Sequence, residues 1–320
     1  TFWTAGICLA LGCTACAMNL LPVVVRKDGW VAEEWRVSRD LTSAVFVGGD
    51  MSVDTTTRVY IVDLDTGRLI PKVIRGISDL HLPPILETFA EKQQGFFLVV
   101  GPVGQGKTTT LAALINLINR ERSSKILTIE DPIEYIFTPD KSIIDQRELF
   151  SDTLSFHKAL SSTFRQNVDV ILVGEMRDYE TMSAAVTAAE TGHLVFASLH
   201  TNNAAQTVER IVDSFPPSQQ GQIRTQLANT ISGVISQRLI PSVKGGLIPA
   251  VEVMIANSAV RNLIRENRFH QLNLVIETSS EAGMISLNKS LAELVGQKEI
   301  TMEQAEFYSL NPIELKELVK

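Results

Sequence analysis

From Gly95 onward the chain alternates short, mainly apolar runs with longer segments of amphipathic spacing. FFLVV (96–100) and DVILV (169–173) are bounded by turn residues, and KILTI (125–129) and HLVFASL (193–199) extend the same series. Runs of that length read as strands of a parallel sheet covered on both faces. Residues 107–119, 156–165, 178–191, 203–213 and 217–238 carry apolar positions at helical spacing. This strand and helix alternation predicts an α/β domain. Beyond Pro249 the pattern turns helical, with helices expected at 258–266, 286–295, 301–308 and 312–319.

Upstream the pattern differs. Residues 1–77 are rich in β-branched side chains, with turn signals at Asp28-Gly29, Gly48-Gly49-Asp50 and Thr66-Gly67, so they read as a small domain of several strands. RVYIVDL (58–64) is its clearest strand. Gly76, Pro83 and Pro84 break regular structure in GISDLHLPP, which places a linker at 78–84 before a helix at 85–92 and a second domain over 85–320. A hinge there would let the two domains close on a ligand. A chain of 320 residues is itself too long for one ordinary core, which agrees with two domains.

Composition narrows the class. Hydrophobic residues make up 45% and charged residues 20%, which sets disordered and collagen-like chains aside. A net charge of -7 argues against a nucleic-acid coat, which needs a basic face. Cys8, Cys13 and Cys16 sit in one run, the wrong distribution for a disulfide framework, so a reducing cytoplasm is expected. Their spacing is like the start of an iron–sulfur site, but a fourth cysteine is missing. Residues 1–25 are uncharged and long enough for a membrane span, yet Gly6, Gly12, Asn19 and Pro22 dilute them and no basic segment precedes them. A buried strand or helix of the N-terminal domain is expected instead.

Candidate chemistry begins at GPVGQGKTTT (101–110). Gly101, Gly106, Lys107 and Thr108 satisfy G-x-x-x-x-G-K-[ST], between a predicted strand and a predicted helix as that motif requires. Loop N–H groups and the positive end of the helix would wrap a phosphate. Lys107 would add a point charge, and the Thr108 hydroxyl would be a Mg²⁺ ligand. DVILVGEMRD (169–178) runs an apolar strand into Glu175, the acidic residue expected beside that metal. LTIEDPIEY (127–135) gathers Glu130, Asp131 and Glu134, whose mutual repulsion calls for a cation or ordered water. Glu134 is the candidate base for an attacking water, although EDP could also simply begin a turn. His193 and His200 flank one strand; either a packed histidine or a γ-phosphate contact fits that position.

In this order and spacing, GPVGQGKTTT, ILTIEDPIEY, DVILVGEMRD and HLVFASLHTN resemble the Walker A, Asp box, Walker B and His box of the secretion-ATPase superfamily. Its PilT-type branch, the ATPases of type IV pilus retraction and twitching motility, is the nearest likeness. TAAETGHLVFASLHT (187–201), VERIVDSFP (208–216) and AVRNLIRE (259–266) add to it. The resemblance implies an α/β fold: a RecA-like P-loop ATPase domain with a smaller α+β, PAS-like N-terminal domain and a helical C-terminal extension. It implies a ring-shaped homohexamer that hydrolyses ATP with Mg²⁺, while the net charge of -7 is the reason no nucleic-acid partner is expected. That ring would dock on an inner-membrane pilus platform protein from the cytoplasmic face. By the same resemblance Gly101, Pro102, Gly104, Gln105, Gly106, Lys107, Thr108 and Thr109 hold nucleotide, and Glu134 is catalytic. Glu175 is the Walker B glutamate and metal ligand, and His193 and His200 are the box histidines. Arginines of the N-terminal domain reach the γ-phosphate in this family, and Arg58, Arg68 and Arg75 are the candidates.

Two departures stand out. Residues 1–57 lack the family's usual early D-[LI]-H-[LI] segment, so that domain is divergent or incomplete. Walker A carries Val103 and Gln105 where Thr and Ser are common, at positions whose side chains phosphate binding does not require. Two other functions fit the motifs: a pilus-assembly or secretion ATPase, or a nucleotide-binding regulatory subunit with little turnover. Many assembly and secretion ATPases carry a four-cysteine zinc insertion in the C-terminal domain, and this chain has no cysteine after Cys16. A mere binder has little need of Glu134.

Overall fold

The computed structural model describes residues 73–319 together with the strand backbones 30–37, 43–50, 58–63 and 69–70. The chain divides into two compact units, Thr1–Val73 and Ile74–Lys320. In the first, β1 (Trp30–Val37), β2 (Ser43–Asp50), β3 (Arg58–Asp63) and β4 (Leu69–Ile70) pair in sequence order as an antiparallel sheet. The expected strand at 58–64 is β3. The uncharged run 1–25, with its three cysteines, and Arg68 lie outside the described residues.

The second unit is built on a seven-stranded sheet. Its strands are β5 (Gly95–Val100), β6 (Lys125–Glu130), β7 (Ile143–Glu148), β8 (Val170–Val173), β9 (Leu194–Leu199), β10 (Ile231–Pro241) and β11 (Leu247–Ile255). Their order is β11-β10-β5-β9-β8-β6-β7, parallel throughout except for the β10–β11 hairpin. The apolar runs need cover on both sides because successive strand residues point to opposite faces. Phe96, Leu98 and Val100 join one core cluster and Phe97 and Val99 the other. The first face is covered by α3 (Phe156–Thr163), α4 (Tyr179–Glu190), α5 (Ala204–Asp213), α6 (Pro217–Thr230), α7 (Ser258–Arg265) and α8 (Leu272–Thr278). The second is covered by α1 (Glu87–Ala90) and α2 (Lys107–Glu121). A third cluster packs α9 (Leu287–Gly296), α10 (Met302–Tyr308) and α11 (Pro312–Leu318) on Ile240, Ile248 and Ala250 of the hairpin.

Residues 78–84, expected as a linker, fall within this second unit, where Leu82 is buried in the core cluster with Ile77 and Leu86. The helix expected over 217–238 ends instead at Thr230, and the chain continues as β10. Ile231, Val234 and Ile235 have helical i, i+3, i+4 spacing, but they also suit a strand covered on both faces. Val234 and Ile235 indeed enter opposite core clusters. Pairing with β5 on one side and β11 on the other decides the matter, since tertiary context overrides a local preference. Gly233 has its role there: a Cβ would meet the Phe89 ring at 2.7 Å. For the same reason the helical character expected beyond Pro249 starts only after β11. Among the described residues no helix is long and apolar enough to cross a membrane.

Candidate active site

The strand order sets the site. β5, β9, β8 and β6 are consecutive neighbours, and their carboxyl ends deliver the phosphate loop, His200, Glu175 and the Glu130–Asp131 pair side by side. Ligands of open α/β sheets collect at such ends. The loop 101–106 leads from β5 into α2, whose N-cap is Gly106 at φ 78° with no side-chain cap bond. By contrast α4, α5 and α7 are capped by Asp178, Asn203 and Asn257. Uncapped N–H groups at the positive end of a helix suit an anion.

A cavity of about 530 Å³ lies over these ends, lined by residues 103–109, Glu130–Pro132, Glu134, Gly174, Glu175, Arg177, Ser198 and His200. Lys107 Nζ donates to the Gly101 and Pro102 carbonyls at 2.9 Å each and lies 3.0 Å from His200 Nδ1. Burial pushes its pKa down, partly offset by the Glu175 charge. His200 Nε2 is 3.0 Å from Glu175 Oε1, and the other Glu175 oxygen accepts from Arg177 at 2.9 Å. Arg177 also reaches Asp131 at 3.4 Å. Lysine, histidine, glutamate and arginine thus form one continuous polar chain across the mouth of the sheet. Beside this chain Gly174 lies close against β6, where a Cβ would come within 3.3 Å of the Glu130 backbone.

The acidic segment is held by β7, a strand whose polar residues do not announce it in the sequence. Gln146 donates to the Tyr135 carbonyl at 2.8 Å and accepts from the Phe137 N–H at 2.9 Å. Glu148 accepts from the Ile133 N–H at 3.0 Å. The Tyr135 hydroxyl meets Thr109 at 2.9 Å and so ties the segment to α2. Glu134 emerges exposed from this frame, on the cavity wall. Glu130 is buried, accepts from Thr128 at 2.7 Å, and has its pKa raised to about 7 chiefly by desolvation.

The family model for the type II/IV secretion system protein matches residues 76–246, more than half of the chain. The chain belongs to this family. Among relatives of this secretion-family protein, a "Twitching motility protein" of Neisseria gonorrhoeae is 51% identical over 239 residues, 74% of this chain and 64% of that one. The type IV pilus retraction ATPase PilT of Pseudomonas aeruginosa is 44% identical over 238 residues, 74% of this chain and 69% of PilT. The chain therefore spans about two thirds of the length of these relatives. Among solved structures, the pilus retraction motor PilT with bound ADP superposes with a TM-score of 0.74 at 42% identity, covering 86% of this chain and 80% of that one. The secretion-family chain thus has the expected RecA-like α/β fold.

The secretion-family fold brings Gly104, Gln105, Gly106, Lys107, Thr108, Thr109, Glu134, Glu175 and His200 to one cavity, with Gly101 and Pro102 at its edge through Lys107. It does not bring His193 there. His193 precedes β9 at the amino end of the strand, opposite the cavity, where Nδ1 lies 2.9 Å from the Ala188 carbonyl and the ring meets Phe164 edge-on. Arg75 is exposed and does not line the cavity; Arg58 lies on β3, with its side chain outside the described residues. Sequence reading passed over Gln237 and Arg177. Gln237 fell in a segment read as helix, and Arg177 is a surface arginine until Glu175 and Asp131 are placed beside it.

Proposed function

We propose that the chain is the motor of type IV pilus retraction: an Mg²⁺-dependent ATPase working as a cytoplasmic homohexamer against an inner-membrane platform protein. The observation that carries this reading is the single cavity in which Lys107, Glu134, Glu175 and His200 meet. Its fold and sequence match a retraction motor solved with ADP, which supports nucleotide as the ligand.

In this reading the γ-phosphate displaces the Gly101 and Pro102 carbonyls from Lys107, whose charge the phosphate then stabilises. The chain Lys107, His200, Glu175 would report whether that phosphate is present. Glu134, on the cavity wall, orients the attacking water and takes its proton as the water oxygen bonds to the γ-phosphorus and the bond from that phosphorus to the β–γ bridging oxygen breaks. Among the described residues no group of three or more His, Cys, Asp or Glu side chains could hold a metal alone. That suits Mg²⁺, which borrows phosphate oxygens and water; the Thr108 hydroxyl and Glu175 carboxylate are hard oxygen donors of the right kind. Bound with the nucleotide, the ion would neutralise charge developing on the phosphates.

The test measures ATP hydrolysis per subunit against protein concentration, with and without Mg²⁺, beside light scattering. Activity should rise with assembly to a hexamer, and Glu134→Gln should lower kcat by about 10²- to 10⁴-fold while ADP still binds. Expression should also restore twitching to a cell lacking its retraction ATPase. Full activity in a monomer, or unchanged turnover in Glu134→Gln, would defeat the proposal.

A further inference from the structure

Beneath the phosphate loop, on the side away from the cavity, lies a residue to which the proposed chemistry gives no part. Gln237 of β10 is only 2% exposed. Its Nε2 donates to the Gln105 carbonyl at 2.5 Å and its Oε1 accepts from the Thr110 hydroxyl at 2.8 Å. The amide orientation is fixed by chemistry, since only an N–H can face a carbonyl oxygen. A second bond runs the other way: Gln105 Oε1 accepts from the Leu239 backbone N–H at 2.7 Å. The backbone closes the lattice, because a Cβ on Gly101 would strike the Gln237 carbonyl and one on Gly106 would come within 3.2 Å of Gln237 Nε2.

We propose that Gln237 is a positioning residue for nucleotide binding, holding the Gln105–Gly106 peptide so that the Gly106 N–H is presented to phosphate. A peptide unit is planar and trans, so its C=O and N–H point in opposite directions. Pinning the Gln105 oxygen to β10 therefore turns the Gly106 N–H away from β10. Gly106 otherwise has wide backbone freedom, at φ 78° where no Cβ limits it. Without the pin the peptide could flip and present its carbonyl to an anion. β10 is a rigid anchor, paired with β5 on one side and with β11 on the other. The Thr110 bond keeps the amide in register but touches no group of the loop.

This inference rests on the nucleotide-binding reading, and one set of measurements separates the two. ADP binding by calorimetry, ATPase kinetics and thermal unfolding are compared for the wild type, Gln237→Glu, Gln237→Met and Thr110→Val in the full chain. Glutamate cannot donate to Gln105, and methionine removes both polar contacts at nearly constant volume. Losing one well-aligned N–H on a charged phosphate should raise the ADP Kd and the KM for ATP about tenfold to a hundredfold in both Gln237 variants. The kcat should stay within about threefold, because the lost contact acts alike on ground and transition states. Thr110→Val should weaken ADP binding by less than about threefold at a similar loss of Tm. Should Gln237→Glu fail to fold, Gln237→Met decides. ADP binding within about twofold of wild type in the Gln237 variants would overturn the inference. So would losses that simply follow Tm across all three variants. A wild-type chain that binds neither ATP nor ADP would instead bring down the functional reading, and this inference with it.

Discussion

Glu252 offers a quantitative check on how the second unit is built. It sits on β11, buried, and accepts from the Ala204 N–H at 2.7 Å, so that β11 caps the start of α5 just beyond His200. Desolvation lifts its pKa from 4.5 to about 7, more than the Ala204 bond and the Arg238 charge can lower it. The sign follows from linkage. A carboxyl whose folded pKa lies above its unfolded value is bound to a proton more often in the folded state, so stability is fully present below pH 4.5. It is lost progressively up to pH about 7 and is flat above. At about 1.4 kcal/mol per pH unit across that window, the cost of ionising Glu252 comes to about 3 kcal/mol. Glu252→Gln keeps the acceptor for Ala204 and removes the ionisation. Urea unfolding followed by far-UV circular dichroism reports on this unit, because all helices among the described residues lie in it. The variant should match wild type at pH 4.5 and exceed it by about 3 kcal/mol at pH 8. Glu130, also raised to about 7, slopes the same way in both proteins and cancels in the difference. Parallel pH profiles for the two proteins would refute the reasoning.

Two further expectations come from close contacts. Gly101→Ala places a Cβ against the Gln237 carbonyl at φ 145°, whereas Gly104→Ala at φ 77° meets nothing within 4 Å. The first should lose at least about 2 kcal/mol and its ADP binding, the second only about 1 kcal/mol of backbone strain; equal unfolding midpoints in urea would contradict this. Arg261, in the AVRNLIRE stretch, donates to the Ala228, Asn229 and Ala256 carbonyls and so joins the end of α6 to the start of α7. Arg261→Ala should cost about 2 kcal/mol in the same unfolding assay, and an unchanged midpoint would assign that arginine to something other than this joint.

The α/β class, the phosphate loop and the two carboxylate segments were legible because each is local. A buried strand, a tight glycine loop and a helix start are written in consecutive residues, and periodicity reports them directly. Residues 231–241 were not legible in the same way, since Ile231, Val234 and Ile235 satisfy helical and extended spacing alike until β5 and β11 lie beside them. With that strand went Gln237, a buried amide whose meaning depends on a partner 132 positions away. The histidines divide for a similar reason. Both flank β9, and sequence places them equally, but parallel strands deliver their chemistry at one end only. The fold therefore sends His200 to Lys107 and Glu175 and leaves His193 packed on Phe164. Sequence by itself determined the elements whose period is unambiguous, from β5 and α2 to β8 and β9, and the chemistry they carry. The tertiary structure decided which of them meet, because strand order and strand direction are set by pairing and burial between segments distant in the chain.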